Sequence, residues 1–124
     1  MAKRVLIVDD STTMRALITE AVRRIGGDLE IDTAGDGVEA IEKLQAGPFD
    51  LLITDIGMPV MDGLVLIERI RADERIRGLP VIIMSAMGSW EERSRASELG
   101  VEEYVMKPVQ APQVMAVVRK ILER

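Results

Sequence analysis

Arg4-Val5-Leu6-Ile7-Val8-Asp9-Asp10-Ser11-Thr12 passes without a break from an apolar run into two carboxylates and then two hydroxyl residues suited to cap a helix. A run that is apolar at every position has no wet face, which is how a strand covered on both sides of a parallel sheet reads. Three further runs repeat the pattern. Leu51-Leu52-Ile53-Thr54 ends in Asp55, Val81-Ile82-Ile83-Met84 ends in Ser85, and Val101 to Met106 ends in Lys107 before Pro108. As parallel strands, the four runs would deliver all of these groups to one edge of one sheet, where open α/β sheets bind ligands. Three carboxylates, a hydroxyl and an ammonium group converging there point to a divalent cation and a phosphoryl group.

Helix-like segments alternate with the runs. Met14, Leu17, Ile18, Ala21, Val22 and Ile25 keep helical spacing until Gly26-Gly27. Leu29 to Ala34 alternates in polarity, as an edge strand does, and Val38, Ile41 and Leu44 follow on a second helix broken by Gly47-Pro48. Met58-Pro59-Val60-Met61-Asp62-Gly63 turns the chain into a helix from Leu64 to Ala72. Ser89 is placed to cap a fourth helix reaching Leu99, with Gly100 just past its end, and Val114, Val117, Val118, Ile121 and Leu122 line a last helix starting at Pro112. Five β/α repeats over residues 1–124 predict one α/β domain, a doubly wound five-stranded parallel sheet with helices on both faces.

Composition narrows the chemistry. Of 124 residues, 48% are hydrophobic and 30% charged, enough apolar surface for a core and too little contiguous for a membrane span. No signal-peptide pattern opens the chain, so neither secretion nor membrane insertion is expected and a cytoplasmic location is. Cysteine and histidine are absent, which removes disulfides, thiolate and imidazole catalysis, and any phosphohistidine carrier role. With 16 basic against 21 acidic residues the net charge is −5. Arg69, Arg71, Arg75 and Arg77 are interrupted by Asp73 and Glu74, which reads as a solvated helix end and not as a nucleic-acid footprint.

Asp9-Asp10, Asp55 to Gly63, Ser85-Ala86 and Lys107-Pro108 together resemble the receiver domain of bacterial two-component response regulators, in order and over essentially the whole chain. Asp9 to Arg15 is most similar to the stand-alone chemotaxis regulators. The resemblance implies a flavodoxin-like strand order 2-1-3-4-5, with no output domain attached. It makes Asp55 the phosphoacceptor and places Mg2+ on Asp10, Asp55 and the Gly57 main-chain carbonyl, with Asp9 acting mainly through water. Lys107 would pair with the acidic cluster and then with a phosphoryl oxygen, and the Lys107–Pro108 peptide would be cis. Ser85 would bond the phosphoryl group and draw Tyr104 inward as the switch aromatic. As a plain strand residue, Tyr104 would instead keep its hydroxyl in water. Trp90, the only tryptophan, falls on the surface such proteins use for partners.

The expected function is a phosphorylation switch, not an enzyme acting on other molecules. A sensor histidine kinase donates to Asp55, and a downstream target or a relay phosphotransfer protein reads the result. Gly57 and Met87, two residues after Asp55 and Ser85, have no side chain able to hold an attacking water. Slow self-dephosphorylation is therefore expected unless a phosphatase supplies that group. Two alternatives compete. A magnesium-dependent phosphohydrolase with an aspartate nucleophile would want a second carboxylate where Gly57 stands. A phosphorylation-independent interaction module would be expected to lack part of the acidic cluster.

Overall fold

Strands and helices alternate from end to end: β1 (Lys3–Val8), α1 (Thr12–Arg23), β2 (Leu29–Ala34), α2 (Gly37–Ala46), β3 (Leu51–Asp55), α3 (Gly63–Ala72), β4 (Val81–Ser85), α4 (Trp90–Glu98), β5 (Glu103–Met106) and α5 (Ala111–Leu122). The structure, a computed structural model, describes residues 2–124. The strands form one parallel sheet in the order β2-β1-β3-β4-β5. No helix among the described residues is long and apolar enough to cross a membrane.

The two faces of the sheet are sorted by side-chain alternation. Leu6, Val8, Leu52, Val81 and Ile83 pack with Ala40, Leu44, Leu66, Ile67, Ile70 and Ala96 of α2, α3 and α4. Val5, Ile7, Leu51, Ile53, Ile82, Met84 and Val105 pack with Ile18, Ala21, Val22, Val114, Val118 and Ile121 of α1 and α5. Strands β3 and β4 are buried at every position, which is why their sequences show no alternation. At the edge, β2 is mostly half-exposed and does alternate in sequence.

Helix starts follow short polar residues. Ser11, Asp36, Asp62 and Ser89 each accept from the backbone N–H three residues on, at 3.2, 2.8, 2.9 and 3.2 Å. Three expectations need correction. Strand β5 begins at Glu103 and not at Val101, because Gly100 (φ 71°) and Val101 fold back on α4, donating to Ser97 O at 3.0 Å and Ala96 O at 3.1 Å. Leu17 and Val38 keep helical spacing yet are exposed, at 43% and 45%, since they fall at the rims of their apolar stripes. Arg71 is no solvated helix end. Its guanidinium donates to the carbonyls of Leu99 (2.7 Å), Arg77 (2.6 Å), Leu79 (2.7 Å) and Gly100 (3.4 Å), tying α3 to the segments before β4 and β5.

Candidate functional site

Strand register places the site. Val8 lies beside Thr54 and Asp55 beside Met84, so Asp9, one residue past β1, arrives next to Asp55. Ser85 lies beside Met106, and Lys107 follows. Alternation then decides which way each group faces. Asp9, Asp55 and Lys107 continue the parity of Ile7, Ile53 and Val105, towards α1 and α5. Ser85 and Tyr104 share the opposite parity, towards α4. The edge therefore carries two neighbouring constellations.

In the first, carboxylate oxygens of Asp9, Asp10 and Asp55 all lie within 4.8 Å of one another. Asp9 is fully buried, Asp55 is 6% exposed, and Asp10 faces solvent. Lys107 Nζ stands 3.2 Å from Asp55 Oδ1 and 3.4 Å from Asp9 Oδ2. Backbone N–H groups supply further positive charge. Ser11 N donates to Asp9 Oδ1 and Ile56 N to Asp55 Oδ1, both at 2.9 Å. Burial nevertheless pushes the Asp9 carboxyl above its ordinary pKa; the Ser11 N–H and Lys107 pull it down, and the Asp55 charge adds to the rise. For Lys107, burial alone would lower the pKa, but the Asp55 and Asp9 carboxylates more than offset it and the value is raised. One ammonium does not neutralise three carboxylates. A hard dication taking oxygen ligands fits this donor set and the charge it leaves over.

Behind the acidic group, the Arg15 guanidinium donates to Asp9 O at 2.6 Å and fixes the β1–α1 turn. Sequence reasoning quoted Arg15 only as part of a motif; its place one turn into α1 was the signal for this contact. The β3–α3 loop, which follows Asp55, holds Val60 at φ 69°, an uncommon backbone for a β-branched residue, and leaves that residue 91% exposed. The Gly57 backbone is also at this surface, with open space where a Cβ would be.

The second constellation joins β4, α4 and β5. Ser85 is buried, accepts from Met87 N at 3.1 Å and Gly88 N at 3.4 Å, and donates to Glu92 at 2.7 Å. Glu92 was not singled out from sequence, because seven residues separate it from Ser85 and only the loop geometry unites them. Lys107 N donates to Ser85 O at 2.8 Å, linking the constellations, and the Lys107–Pro108 bond is cis. Tyr104 packs into the α2–α4 side of the core under the Arg93 guanidinium, 4.6 Å from the ring centroid. Its hydroxyl is not in water: it is buried and has no hydrogen-bond partner among the described residues. An unpaired buried hydroxyl costs about 1–3 kcal/mol. Tyr104→Phe is therefore expected to raise resting stability by about 1 kcal/mol in urea denaturation; a loss would mean the hydroxyl has found a partner in solution. Trp90 takes no part in these hydrogen bonds: it is 77% exposed at the start of α4, and Met87, three residues earlier, is 80% exposed.

A five-stranded 2-1-3-4-5 sheet bearing acids at the ends of β1 and β3, with serine and lysine at the ends of β4 and β5, defines a class. The response regulator receiver domain matches residues 5–119, and the chain belongs to that family. Chemotaxis protein CheY of Pseudomonas aeruginosa is 40% identical over 121 residues, which span 98% of this chain and 97% of that protein. Chemotaxis protein CheY-3 of Vibrio cholerae is 38% identical, with 98% and 92% covered. Among solved structures, a response regulator from Chloroflexus aurantiacus superimposes with a TM-score of 0.90 at 29% identity, both chains fully covered. Chemotaxis response regulator CheY4 of Vibrio cholerae gives 0.88 at 26% identity, with 98% of this chain and 99% of that one covered. Proteins of this family are regulators that bind Mg2+ at an acidic cluster and work with histidine kinases and downstream targets.

Proposed function

We propose that this chain is a stand-alone phosphorylation switch of the chemotaxis type, charged on Asp55 by a histidine kinase. The observation that carries the reading is the Asp9–Asp10–Asp55 group with Lys107 at 3.2 Å from Asp55 Oδ1. Both protein contacts to the Asp55 carboxylate fall on Oδ1, which leaves Oδ2 to attack. As the P–O bond forms, the P–N bond to the donor imidazole breaks and that imidazole keeps its electron pair. The Ile56 N–H keeps Oδ1 in place while Oδ2 attacks, and Lys107 is near enough to turn from Oδ1 to a phosphoryl oxygen, where a positioned cation offsets the charge of the transferring group.

Asp10 and Asp55, with the Gly57 carbonyl and Asp9 through water, are the groups that would hold Mg2+. The ion would neutralise the carboxylates and the transferring phosphoryl oxygens. Ser85, Tyr104 and the exposed Trp90 would form the reporting side, read by a target or relay protein. Chemotaxis-type output rests on the names of relatives such as the Pseudomonas aeruginosa protein, 97% of whose length the match spans. Gly57 and Met87 offer no polar side chain, so slow self-dephosphorylation belongs to the same reading. The phosphohydrolase alternative is not favoured, since Gly57 stands where its second carboxylate would be.

The test is intact mass after incubation with acetyl phosphate. With Mg2+ a single base-labile phosphoryl adduct is expected, and chelation of the metal should suppress it. Donor hydrolysis without a trappable adduct would favour a phosphohydrolase; neither adduct nor hydrolysis would favour an interaction module.

A further inference from the structure

A serine hydroxyl has one proton to give and two lone pairs to receive with. At Ser85 all three are in use: Met87 N and Gly88 N donate to Oγ at 3.1 and 3.4 Å, and the proton goes to Glu92 Oε2 at 2.7 Å. Ser85 therefore has no spare proton for a phosphoryl oxygen until Glu92 releases it. The acceptor that holds it is a carboxylate, and hydrogen bonds to charged acceptors are the stronger kind.

Glu92 has a second destination. Ser89 is the N-cap of α4 and its Oγ accepts from Glu92 N at 3.2 Å. Ser89-Trp90-Glu91-Glu92 thus has the form of a capping box, in which the carboxylate three residues past the cap reaches back to the cap's own backbone N–H. Only half of that box is made here, because the carboxylate is drawn off to Ser85. Alternation of β4 is what aims Ser85 at α4 and away from α1 and α5, so this contact follows from the strand and not from chance rotamers.

We propose that Glu92 is a positioning residue that sets the threshold of the switch, holding the Ser85 proton in the resting form and passing to the Ser89 N–H when a phosphoryl group claims Ser85. The proposal rests on Asp55 being the phosphoacceptor. Glu92 acts against the active form in two ways: it competes for the proton, and its charge opposes an incoming phosphoryl anion. Once it moves, the completed box offsets the lost contact and re-sets the first turn of α4, where Trp90 stands exposed.

The experiment is calorimetric titration of the whole chain with fluoroberyllate in Mg2+, a non-covalent phosphoryl substitute, on a double-mutant cycle with Ser85→Ala. Glu92→Ala should tighten binding about tenfold, the effect of freeing one charge-assisted hydrogen bond. Glu92→Gln keeps an acceptor without the charge and should tighten it only about threefold. On the Ser85→Ala background, Glu92→Ala should tighten binding by no more than about threefold, the charge effect alone, because there is no proton left to compete for. An equal gain with and without Ser85 would reduce Glu92 to a repelling charge and overturn the proposal, as would unchanged affinity on the Ser85 background. If the unaltered chain bound no fluoroberyllate at all, the Asp55 reading would fall and the proposal with it. Binding that ignores Glu92 removes the proposal alone.

Discussion

Asp55→Asn is expected to take up no phosphoryl group and, without magnesium, to be more stable than the parent protein by about 1 kcal/mol at neutral pH. The first half follows from chemistry: an amide oxygen is no phosphoacceptor, and Asp9 is fully buried behind it. The second follows from charge. Asp9 has a raised pKa, caused first by burial and increased by the Asp55 carboxylate. A raised carboxyl pKa means the folded protein holds a proton that the unfolded chain has already released. Stability is then greatest below the ordinary value of 3.8 and declines as pH climbs through the raised one, so neutral pH bears the full cost. Asparagine at 55 removes one cause of the rise while keeping an oxygen for the Ile56 N–H. Lys107 keeps Asp9 as a partner at 3.4 Å. Urea denaturation with and without Mg2+ measures both parts. The parent should gain stability from the metal and the variant much less; a variant that lost stability would show that the Lys107–Asp55 pair outweighs the repulsion.

Gly63→Ala should cost about 3 kcal/mol and greatly reduce phosphoryl uptake as well. A Cβ there would overlap the Asp55 carbonyl and lie 2.9 Å from Ile56 Cα. Both are backbone, so no side chain can swing aside. Gly63 N also donates to Ile56 O at 2.9 Å, pinning the start of α3 against the end of β3. Relief requires moving α3 or the peptide that carries Asp55, and either displaces the acceptor from Lys107. Gly78 provides the contrast: a Cβ there meets nothing within 4 Å, so Gly78→Ala should stay within about 0.5 kcal/mol in the same assay. Equal effects of the two substitutions would mean that the α3 junction yields more easily than its contacts indicate.

The parallel sheet was legible because the runs Val5 to Val8 of β1, Leu51 to Ile53 of β3 and Val81 to Met84 of β4 are covered on both faces and apolar at every position. Helix starts were legible at Ser11 and Ser89, where one residue type performs one local task, while the capping roles of Asp36 and Asp62 emerged only with the structure. Strand β5 was read too long because the α4 terminus borrows Val101 for its own hydrogen bonds, a choice between two neighbours that local pattern does not rank. Arg71 was misread for a similar reason: its four carbonyl partners come from segments six to 29 residues away.

Which groups stand at the strand ends is a matter of sequence alone, since a strand's end and its following residue are adjacent in the chain. From that, Asp9, Asp10, Asp55, Ser85 and Lys107 could be named together. How they face was decided only in three dimensions. Register sets Asp9 beside Asp55, and pleat parity turns Lys107 towards both carboxylates. The same parity sends Ser85 and Tyr104 to the other side of the sheet. There Ser85 meets Glu92, and the Tyr104 hydroxyl is closed off from water beside the Arg93-covered ring. Local sequence carries the period of a strand but not the identity of the helix laid across it, because that packing is settled by the whole core at once.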